Sequence, residues 1–186
     1  MKKIYMAGSG GMLGEAFYEQ FRKEFGSSKV DLICGGPPCQ GFSGIGIRRS
    51  YSVDKQQLPS NHLFEDMAYF VNQIQPKAFI FENVEGLLRA KWTSQGVKGE
   101  IFQDVLKTFK ALKGYEVRWK LLYAKDYGVP QNRPRVILIG LKKNIFTPQT
   151  INDDAVDAGF LPPIEGGYPH LEEIFSDIID KNFEYG

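Results

Sequence analysis

The sequence is poor in the residues that build metal sites and disulfide frameworks. It has two cysteines and two histidines in 186 residues, and it contains no Cys-x-x-Cys pair. We therefore expect no zinc site. The cysteines, Cys34 and Cys39, lie on opposite sides of a Pro-Pro turn, too close in sequence for the framework of a small secreted protein. This spacing favours a reduced protein of the cytoplasm.

Long apolar runs and a large net charge are also absent. No stretch approaches the length that crosses a bilayer, and the opening MKKIYMAGSGG lacks the apolar core of a signal peptide. We expect no membrane segment. With 23 Lys and Arg against 22 Asp and Glu, the net charge is +1, so any nucleic-acid surface must be local. The length fits one domain, or a fragment of a larger one.

The stretch from Asp31 to Gly46, DLICGGPPCQGFSGIG, combines a short apolar run with a rigid turn. Val30 to Cys34 predicts a strand, and two glycines and two prolines end it. In an open parallel sheet, such a turn presents a side chain to the crevice at the carboxyl ends of the strands, and here that side chain is Cys39. On its own, the pattern fits equally well a small buried cysteine in a turn.

A second apolar run, KAFIF at Lys77 to Phe81, predicts another buried strand, which ends in Glu82. A carboxyl group carried to the same sheet edge as Cys39 suits a residue that shares or donates a proton. The alternative is that Glu82 caps the helix that follows.

Two further strands carry a pair of arginines between them. Alternation predicts a strand over Tyr115 to Tyr123 and another over Val136 to Leu141, joined by a turn that contains YGVPQNR. Pro134 holds Arg133 in an extended backbone, so two-residue alternation places Arg133 and Arg135 on the same face. Guanidinium groups there can hold a carboxylate, a phosphate or a carbonyl.

Apolar residues at three-and-four spacing predict helices between these strands. One covers Gln56 to Ile74, with Ser60 or Asn61 as its cap, and another covers Lys98 to Lys113.

The N-terminal segment predicts a strand, Lys3 to Ala7, then a glycine turn and a helix that runs to about Phe25. This order is typical of nucleotide-binding Rossmann-like folds. The spacing of Gly8, Gly11 and Gly14 resembles that of dehydrogenases and nucleotide-sugar epimerases. A nicotinamide-dependent enzyme is therefore an alternative, supported by this turn alone.

Three motifs, GGPPCQGFS, FENVEGLL and YGVPQNRPRVILIG, occur in this order along the chain. They resemble the fourth, sixth and eighth conserved motifs of the DNA cytosine-5 methyltransferases, and the resemblance runs from about Lys29 to Lys143. It implies an α/β fold with the Rossmann-like sheet of S-adenosylmethionine-dependent methyltransferases. It also implies double-stranded DNA as the partner and S-adenosylmethionine as the cofactor.

The resemblance implies roles for particular residues as well. Cys39 would be the nucleophile that adds to C6 of a cytosine flipped out of the duplex. Glu82 would hold and protonate N3, while Arg135 and Arg133 would hold the O2 carbonyl. The implied cofactor-binding positions are Gly8, Gly10, Pro37 and Leu63, and the implied DNA-binding positions are Gln40, Ser43, Arg48 and Arg49.

The opening of the chain departs from the family pattern. About sixteen residues separate Gly14 from Asp31, which leaves room for one helix where the family has two further strands. Those strands end in the acidic residues that hold the cofactor. We therefore expect an abbreviated sheet without the second and third strands, and a weakened or absent S-adenosylmethionine site.

The motifs divide the chain into three parts. We expect residues 1–28 to form an atypical opening, residues 29–145 to form the methyltransferase catalytic core that the resemblance implies, and residues 146–186 to begin a connection to a target-recognition domain that is missing from this chain. We expect activity to need a complementary chain that carries this domain. The alternative is a non-catalytic relative that kept the sheet and lost the cofactor. A junction between unrelated coding segments near Ser27 would also explain the opening.

Overall fold

The computed structural model describes residues 30–37, 61–145 and 171–176, together with positions 160, 163, 164, 166 and 169. The predicted strand, glycine turn and helix of the N-terminal segment lie outside these residues. So does the cysteine loop from position 38 onward, which includes Cys39. The described residues therefore include the whole of the second and third motifs but only the first three residues of the first motif, Gly35 to Pro37.

Four strands of the described chain form one sheet. They are β1 (Leu32–Gly35), β2 (Ala78–Val84), β3 (Tyr115–Tyr123) and β4 (Pro134–Lys142), in the spatial order β1-β2-β4-β3. β1 and β2 are parallel, and β4 runs antiparallel to both β2 and β3. The structure confirms the α/β class, and β3 has the bounds that alternation predicts. β1 begins two residues later than predicted, at the point where its pairing with Ala78 begins.

β2 is longer than its apolar run predicts, so Glu82 lies inside a strand and not at its end. Pairing with β4 continues past the apolar residues, because Glu82 lies opposite Ile137 and Val84 lies opposite Arg135. Backbone hydrogen bonds to an antiparallel neighbour form whether the side chains are polar or apolar. Pairing with β4 therefore keeps the polar residues Glu82 and Asn83 within β2. The same ladder starts β4 at Pro134, two residues before the predicted start.

One long helix precedes β2 along the chain and another follows it. α1 (Leu63–Ile74) follows β1, α2 (Glu100–Lys110) follows β2, and α3 (Leu171–Ile174) is a single turn near the C-terminus. Short 3₁₀ turns cover Glu85–Arg89 and Ala124–Tyr127. The two long helices are shorter than predicted, and residues 56–60 of the first prediction lie outside the described chain.

The predicted cap at Asn61 is wrong, and the other predicted cap, Ser60, lies outside the described residues. The N-cap of α1 is His62, which makes no side-chain capping hydrogen bond, and Asn61 is buried with 2% exposure one residue before it. An amide side chain turned into the interior at that position does not serve the first turn of the helix. Glu82 caps nothing either, since the N-cap of the Glu85–Arg89 turn is Val84.

The core lies between one face of the sheet and the helices α1 and α2. Phe79 and Phe81 of β2 are buried against Phe109 of α2, with ring centroids 5.3 Å apart in both pairs. α1 buries Met67 and Val71 in the same cluster. β2 is therefore an interior strand whose core face is covered by aromatic rings. Within the described residues, no helix could cross a bilayer and no group of three or more metal-ligating side chains occurs.

Candidate active site

Glu82 and Arg135 meet near the carboxyl end of β2. Arg135 pairs with Val84, and Glu82 lies two residues earlier on the same strand, so both side chains are on one face of the sheet. The Nε atom of Arg135 lies 2.6 Å from Oε1 of Glu82. The Nε–H bond is not aligned with that oxygen, so the contact is an ion pair without a well-formed hydrogen bond. The Nη1 atom of Arg135 donates to the Pro134 carbonyl at 2.8 Å.

Both members of this pair still face solvent in part. The exposed fraction of the side chain is 42% for Glu82 and 21% for Arg135. A carboxyl group beside a guanidinium offers a group that gives or takes a proton next to a permanently charged donor. Such a pair can bind the edge of a planar ring that carries a nitrogen next to a carbonyl oxygen.

The start of the cysteine loop lies against the Glu82 carboxylate. A Cβ atom built on Gly36 would be 2.8 Å from Oε2 of Glu82, closer than a real Cβ comes to any such atom. Only a residue without a side chain lets the backbone approach the carboxylate this closely. Gly36 therefore sets the distance between the loop that leads to Cys39 and the acid on β2.

Asn83 ties the same loop to β2 by a hydrogen bond. Its side chain is buried with 5% exposure, and Nδ2 donates to the Pro37 carbonyl at 3.3 Å. Its Oδ1 atom accepts from the Val84 backbone N–H at 2.9 Å. A buried amide with both ends paired holds the backbone that it binds in one position. The loop is thus anchored two residues before Cys39.

The structure does not bring Arg133 into this contact. Arg133 lies outside β4, its residue is exposed, and its side chain makes no ion pair or hydrogen bond to the described residues. Its backbone N–H donates to the Gln131 carbonyl at 2.9 Å. Of the two predicted arginines, the described structure joins only Arg135 to the acid.

A segment near the C-terminus packs on the loop that precedes Arg133. The Ile164 N–H donates to the Asp126 carbonyl at 2.9 Å. A Cβ atom on Gly128 would lie 2.7 Å from Cδ1 of Ile164, and Gly128 has a φ of 78°. Gly128 is therefore required both for its left-handed backbone and for the space that Ile164 occupies.

Two of the predicted cofactor-binding positions are described. Pro37 follows β1, and Leu63 is the first residue of α1; both are partly exposed. The remaining predicted site positions lie outside the described residues: Gly8, Gly10, Cys39, Gln40, Ser43, Arg48 and Arg49.

Cys34 is the one cysteine of the described chain, and it is exposed on β1. Partial burial against the sheet raises the pKa of its thiol above the ordinary value for cysteine. A raised pKa leaves less of the reactive thiolate at neutral pH. Cys34 is therefore a poor candidate for the nucleophile.

The sequence patterns missed the roles of Gly36 and Asn83. Both residues belong to the motifs that carry the resemblance, but only spatial contact reveals that one admits the Glu82 carboxylate and the other holds the Pro37 carbonyl. A signal for Asn83 was present, since an amide that follows an apolar strand run needs a partner when buried. Nothing in the sequence distinguishes Gly36 from its neighbour Gly35.

Comparisons with known proteins agree on one protein family. The profile of the C-5 cytosine-specific DNA methylase family matches residues 14–181. The chain is 42% identical over 154 residues to the Type II methyltransferase M.DdeI of Desulfomicrobium norvegicum, which covers 81% of this chain and 33% of that protein. It is 43% identical over 115 residues to the Type II methyltransferase M1.HphI of Haemophilus parahaemolyticus, covering 61% of this chain and 28% of that protein.

A solved structure agrees. A protein assigned as a DNA modification methyltransferase and encoded within a prophage (E. coli) is 27% identical, with a TM-score of 0.50, over 73% of this chain and 33% of that one. The chain spans about a third or less of the length of the curated relatives that it matches. Because the family profile matches most of the chain, the protein belongs to the C-5 cytosine-specific DNA methylase family.

Proposed function

We propose that this chain is the catalytic part of a DNA (cytosine-5-)-methyltransferase that transfers a methyl group from S-adenosylmethionine to C5 of a flipped cytosine. The observation that carries the proposal is the contact of Glu82 with Arg135 beside the start of the Cys39 loop. The relatives are named Type II methyltransferases, so the same proposal places the chain in DNA methylation within a restriction-modification system.

Cys39 acts as the nucleophile in this proposal. Cytosine C5 is a weak nucleophile, and addition of a thiolate to C6 gives C5 the character of an enamine carbon. C5 then takes the methyl group, whose bond to the donor's sulfonium sulfur breaks to leave a neutral thioether. The C5 proton then passes to solvent, and its C–H electron pair restores the ring double bond as the Cys39–C6 bond breaks. The anchoring of the loop by Asn83 supports this role, because a nucleophile must be held in one orientation to react.

Glu82 and Arg135 stabilise the charge that develops on the ring during attack. Glu82 holds and protonates N3, and Arg135 binds the O2 carbonyl while its Nε atom keeps the carboxyl group in place at 2.6 Å. Arg133 is proposed as a second ligand of O2, since its exposed side chain is close in sequence to Arg135. The cytosine must leave the base stack to reach these groups.

S-adenosylmethionine supplies the methyl group when bound. The described residues fit part of its site: Pro37 and Leu63 are only partly covered by the protein, so each retains surface for a ligand contact. Gly8 and Gly10 are proposed to complete the site. Because the spacing between Gly14 and Asp31 leaves no room for the strands that carry the family's acidic ligands, we expect the isolated chain to bind S-adenosylmethionine weakly or not at all.

DNA is held by groups on the loop that follows the nucleophile. Gln40 and Ser43 would contact the backbone phosphate or fill the gap left by the flipped base, and Arg48 and Arg49 would bind phosphates of the duplex. Phosphate contacts position DNA but do not select a sequence. We therefore propose that a complementary chain with a target-recognition domain completes the enzyme, and that this chain alone is incomplete.

The test is covalent trapping on duplex DNA that contains 5-fluorocytosine. Fluorine at C5 cannot leave as a proton does, so the adduct between Cys39 and C6 persists and migrates as a protein–DNA band in a denaturing gel. The chain is incubated with S-adenosylmethionine, with and without the product of the neighbouring reading frame. We expect a band with the complementary chain present. Cys39→Ser should abolish it, and the matched variant Cys34→Ser should not.

The outcome separates this function from the alternative. A chain that forms no adduct on any DNA, with or without the complementary chain, is a non-catalytic relative that binds DNA or a partner chain. Methylation retained in Cys39→Ser would contradict the assigned nucleophile.

A further inference from the structure

Trp92 is held in place by two residues of α2. Its indole Nε1–H donates to Oδ2 of Asp104 at 2.6 Å, and its backbone N–H donates to Oε1 of Glu100 at 2.6 Å. Hydrogen bonds to carboxylates are short and strong compared with those between neutral groups. Trp92 therefore has a fixed orientation relative to α2.

The loop that carries Trp92 closes on the same glutamate. Oε2 of Glu100 accepts from the Val97 N–H at 2.9 Å, so one carboxylate binds both ends of residues 92–97. Gly99 follows with a φ of 84°, and a Cβ atom there would lie 3.0 Å from the Leu88 carbonyl oxygen. A loop closed in this way presents the indole ring on a rigid support.

His62, at the start of α1, stacks on this indole ring. The rings of Trp92 and His62 are stacked, with centroids 4.9 Å apart and an interplanar angle of 10°. His62 is the N-cap residue of α1 and makes no capping hydrogen bond with its side chain. Its Nδ1 atom lies 3.1 Å from Oε1 of Glu65, in the first turn. Ring stacking on Trp92 thus helps to hold the entry of α1, together with the contact between His62 and Glu65.

We propose that Trp92 is a positioning residue for the cofactor site. Leu63 follows His62 directly, and its proposed contact with S-adenosylmethionine requires the first turn of α1 to be placed correctly. Trp92 places that turn through His62 without touching the cofactor itself. The inference rests on the proposed function, because it assigns a task to Leu63 that only a cofactor-binding chain would need.

The test measures S-adenosylmethionine binding by ligand-observed NMR at millimolar concentration, where a weak site is still detected. Trp92→Leu removes the stacked ring, and we expect the dissociation constant to rise roughly threefold to tenfold, as loss of an aromatic contact predicts. Trp92→Phe keeps a ring and should restore most of the affinity. His62→Leu removes the other partner while leaving the α2 anchors intact, and it should weaken binding at least as much as Trp92→Leu because it also removes the contact with Glu65.

Trp119 provides a matched control. It is the second of the two tryptophans, it lies on β3 at the opposite edge of the sheet from β1, and its ring packs edge-on against Phe102 at 4.6 Å. Trp119→Leu should lower the melting temperature and leave the dissociation constant unchanged. The double variant Trp92→Leu with His62→Leu should bind no more weakly than His62→Leu alone, because the stacking that Trp92→Leu removes is already lost in His62→Leu.

Each result decides the inference. A dissociation constant that is unchanged in both Trp92→Leu and His62→Leu, or additive losses in the double variant, would overturn it while leaving the proposed function intact. Absence of any binding to the wild-type chain would overturn the cofactor assignment and the inference together. Should Trp92→Leu fail to fold, the comparison of His62→Leu with wild type carries the same decision.

Discussion

The Nε atom of Arg135 lies 2.6 Å from Oε1 of Glu82, although the two residues belong to strands that are far apart in sequence. Lysine cannot reproduce this contact together with the bond to the Pro134 carbonyl, because it offers a point charge in place of a planar fork. We expect Arg135→Lys to slow adduct formation on 5-fluorocytosine DNA about 100-fold, the typical loss for one charge-stabilising donor.

Arg89→Lys is the control for this substitution. Arg89 forms an exposed ion pair with Glu85 at 2.7 Å, outside the proposed site, so the same exchange there should leave the trapping rate unchanged. Equal losses in the two variants would contradict a specific role for Arg135. Both rates are measured in gels that resolve the DNA adduct.

Gly36 and Gly35 allow a paired test of the cysteine loop. A Cβ atom at Gly36 would lie 2.8 Å from Oε2 of Glu82, whereas one at Gly35 would lie 2.7 Å from the flexible thioether sulfur of Met67. We expect Gly36→Ala to displace the carboxylate and to reduce trapping strongly with little change in melting temperature. Gly35→Ala should cost about 1 kcal/mol of stability through overpacking and leave trapping largely intact. A reversed pattern would place the functional glycine at position 35.

Gly128→Ala tests the contact between Ile164 and the loop before Arg133. The substitution places a side chain on a backbone with a φ of 78° and into contact with Ile164. We expect a loss of more than about 1 kcal/mol in the free energy of unfolding, measured in urea. Adding Ile164→Ala should relieve the contact and recover only part of the loss. Full recovery would mean that the backbone conformation is not limiting.

The thiol of Cys34 should react slowly at neutral pH. Its pKa is raised by burial, so the thiolate fraction rises only at a more alkaline pH than for a free cysteine. In Cys39→Ser, where Cys34 is the remaining cysteine, the rate of alkylation by iodoacetamide should follow a pH curve displaced to the alkaline side of a cysteine peptide. A curve displaced to the acid side would contradict this and would reopen Cys34 as a nucleophile.

Tyr115 should make stability fall at alkaline pH. Its hydroxyl donates to the Pro76 carbonyl at 2.6 Å, and burial raises the pKa of Tyr115 to about 12. The folded state therefore keeps a proton that the unfolded chain loses near pH 10, so this contribution is complete below about pH 10 and is lost as the pH rises towards 12. Tyr115→Phe keeps the ring and removes the titration. The stability difference between wild type and this variant, measured by thermal unfolding, should shrink above about pH 10. A difference that is constant from pH 8 to 11 would contradict the shift.

Local patterns predicted the strands well where the chain itself determines them. β3 follows the alternation from Tyr115 to Tyr123, because one of its faces packs on the core and Gly114 interrupts the chain just before it. The end of β2 was missed because Glu82 and Asn83 are held in the strand by β4, which lies elsewhere in the sequence. The cap of α1 was missed because burial took Asn61, the better capping residue type, into the interior.

The site could be predicted in its residue types but not in its geometry. The motifs named Glu82, Arg133 and Arg135 together, and only the register of β2 against β4 selects Arg135 as the partner of the acid. The contact of Gly36 with the carboxylate and the stacking of Trp92 on His62 likewise depend on segments that no local pattern connects.

The antiparallel ladder between β2 and β4 also has a consequence for the order in which the protein matures. Its partners are distant along the chain, so they meet only after the intervening helix and hairpin have been brought together, and contacts of this kind form slowly. A newly synthesised chain can have its helices before it has the acid and the guanidinium side by side. We therefore expect the contact between Glu82 and Arg135 to form late in folding, so a nascent chain has its helices before it has the proposed active site.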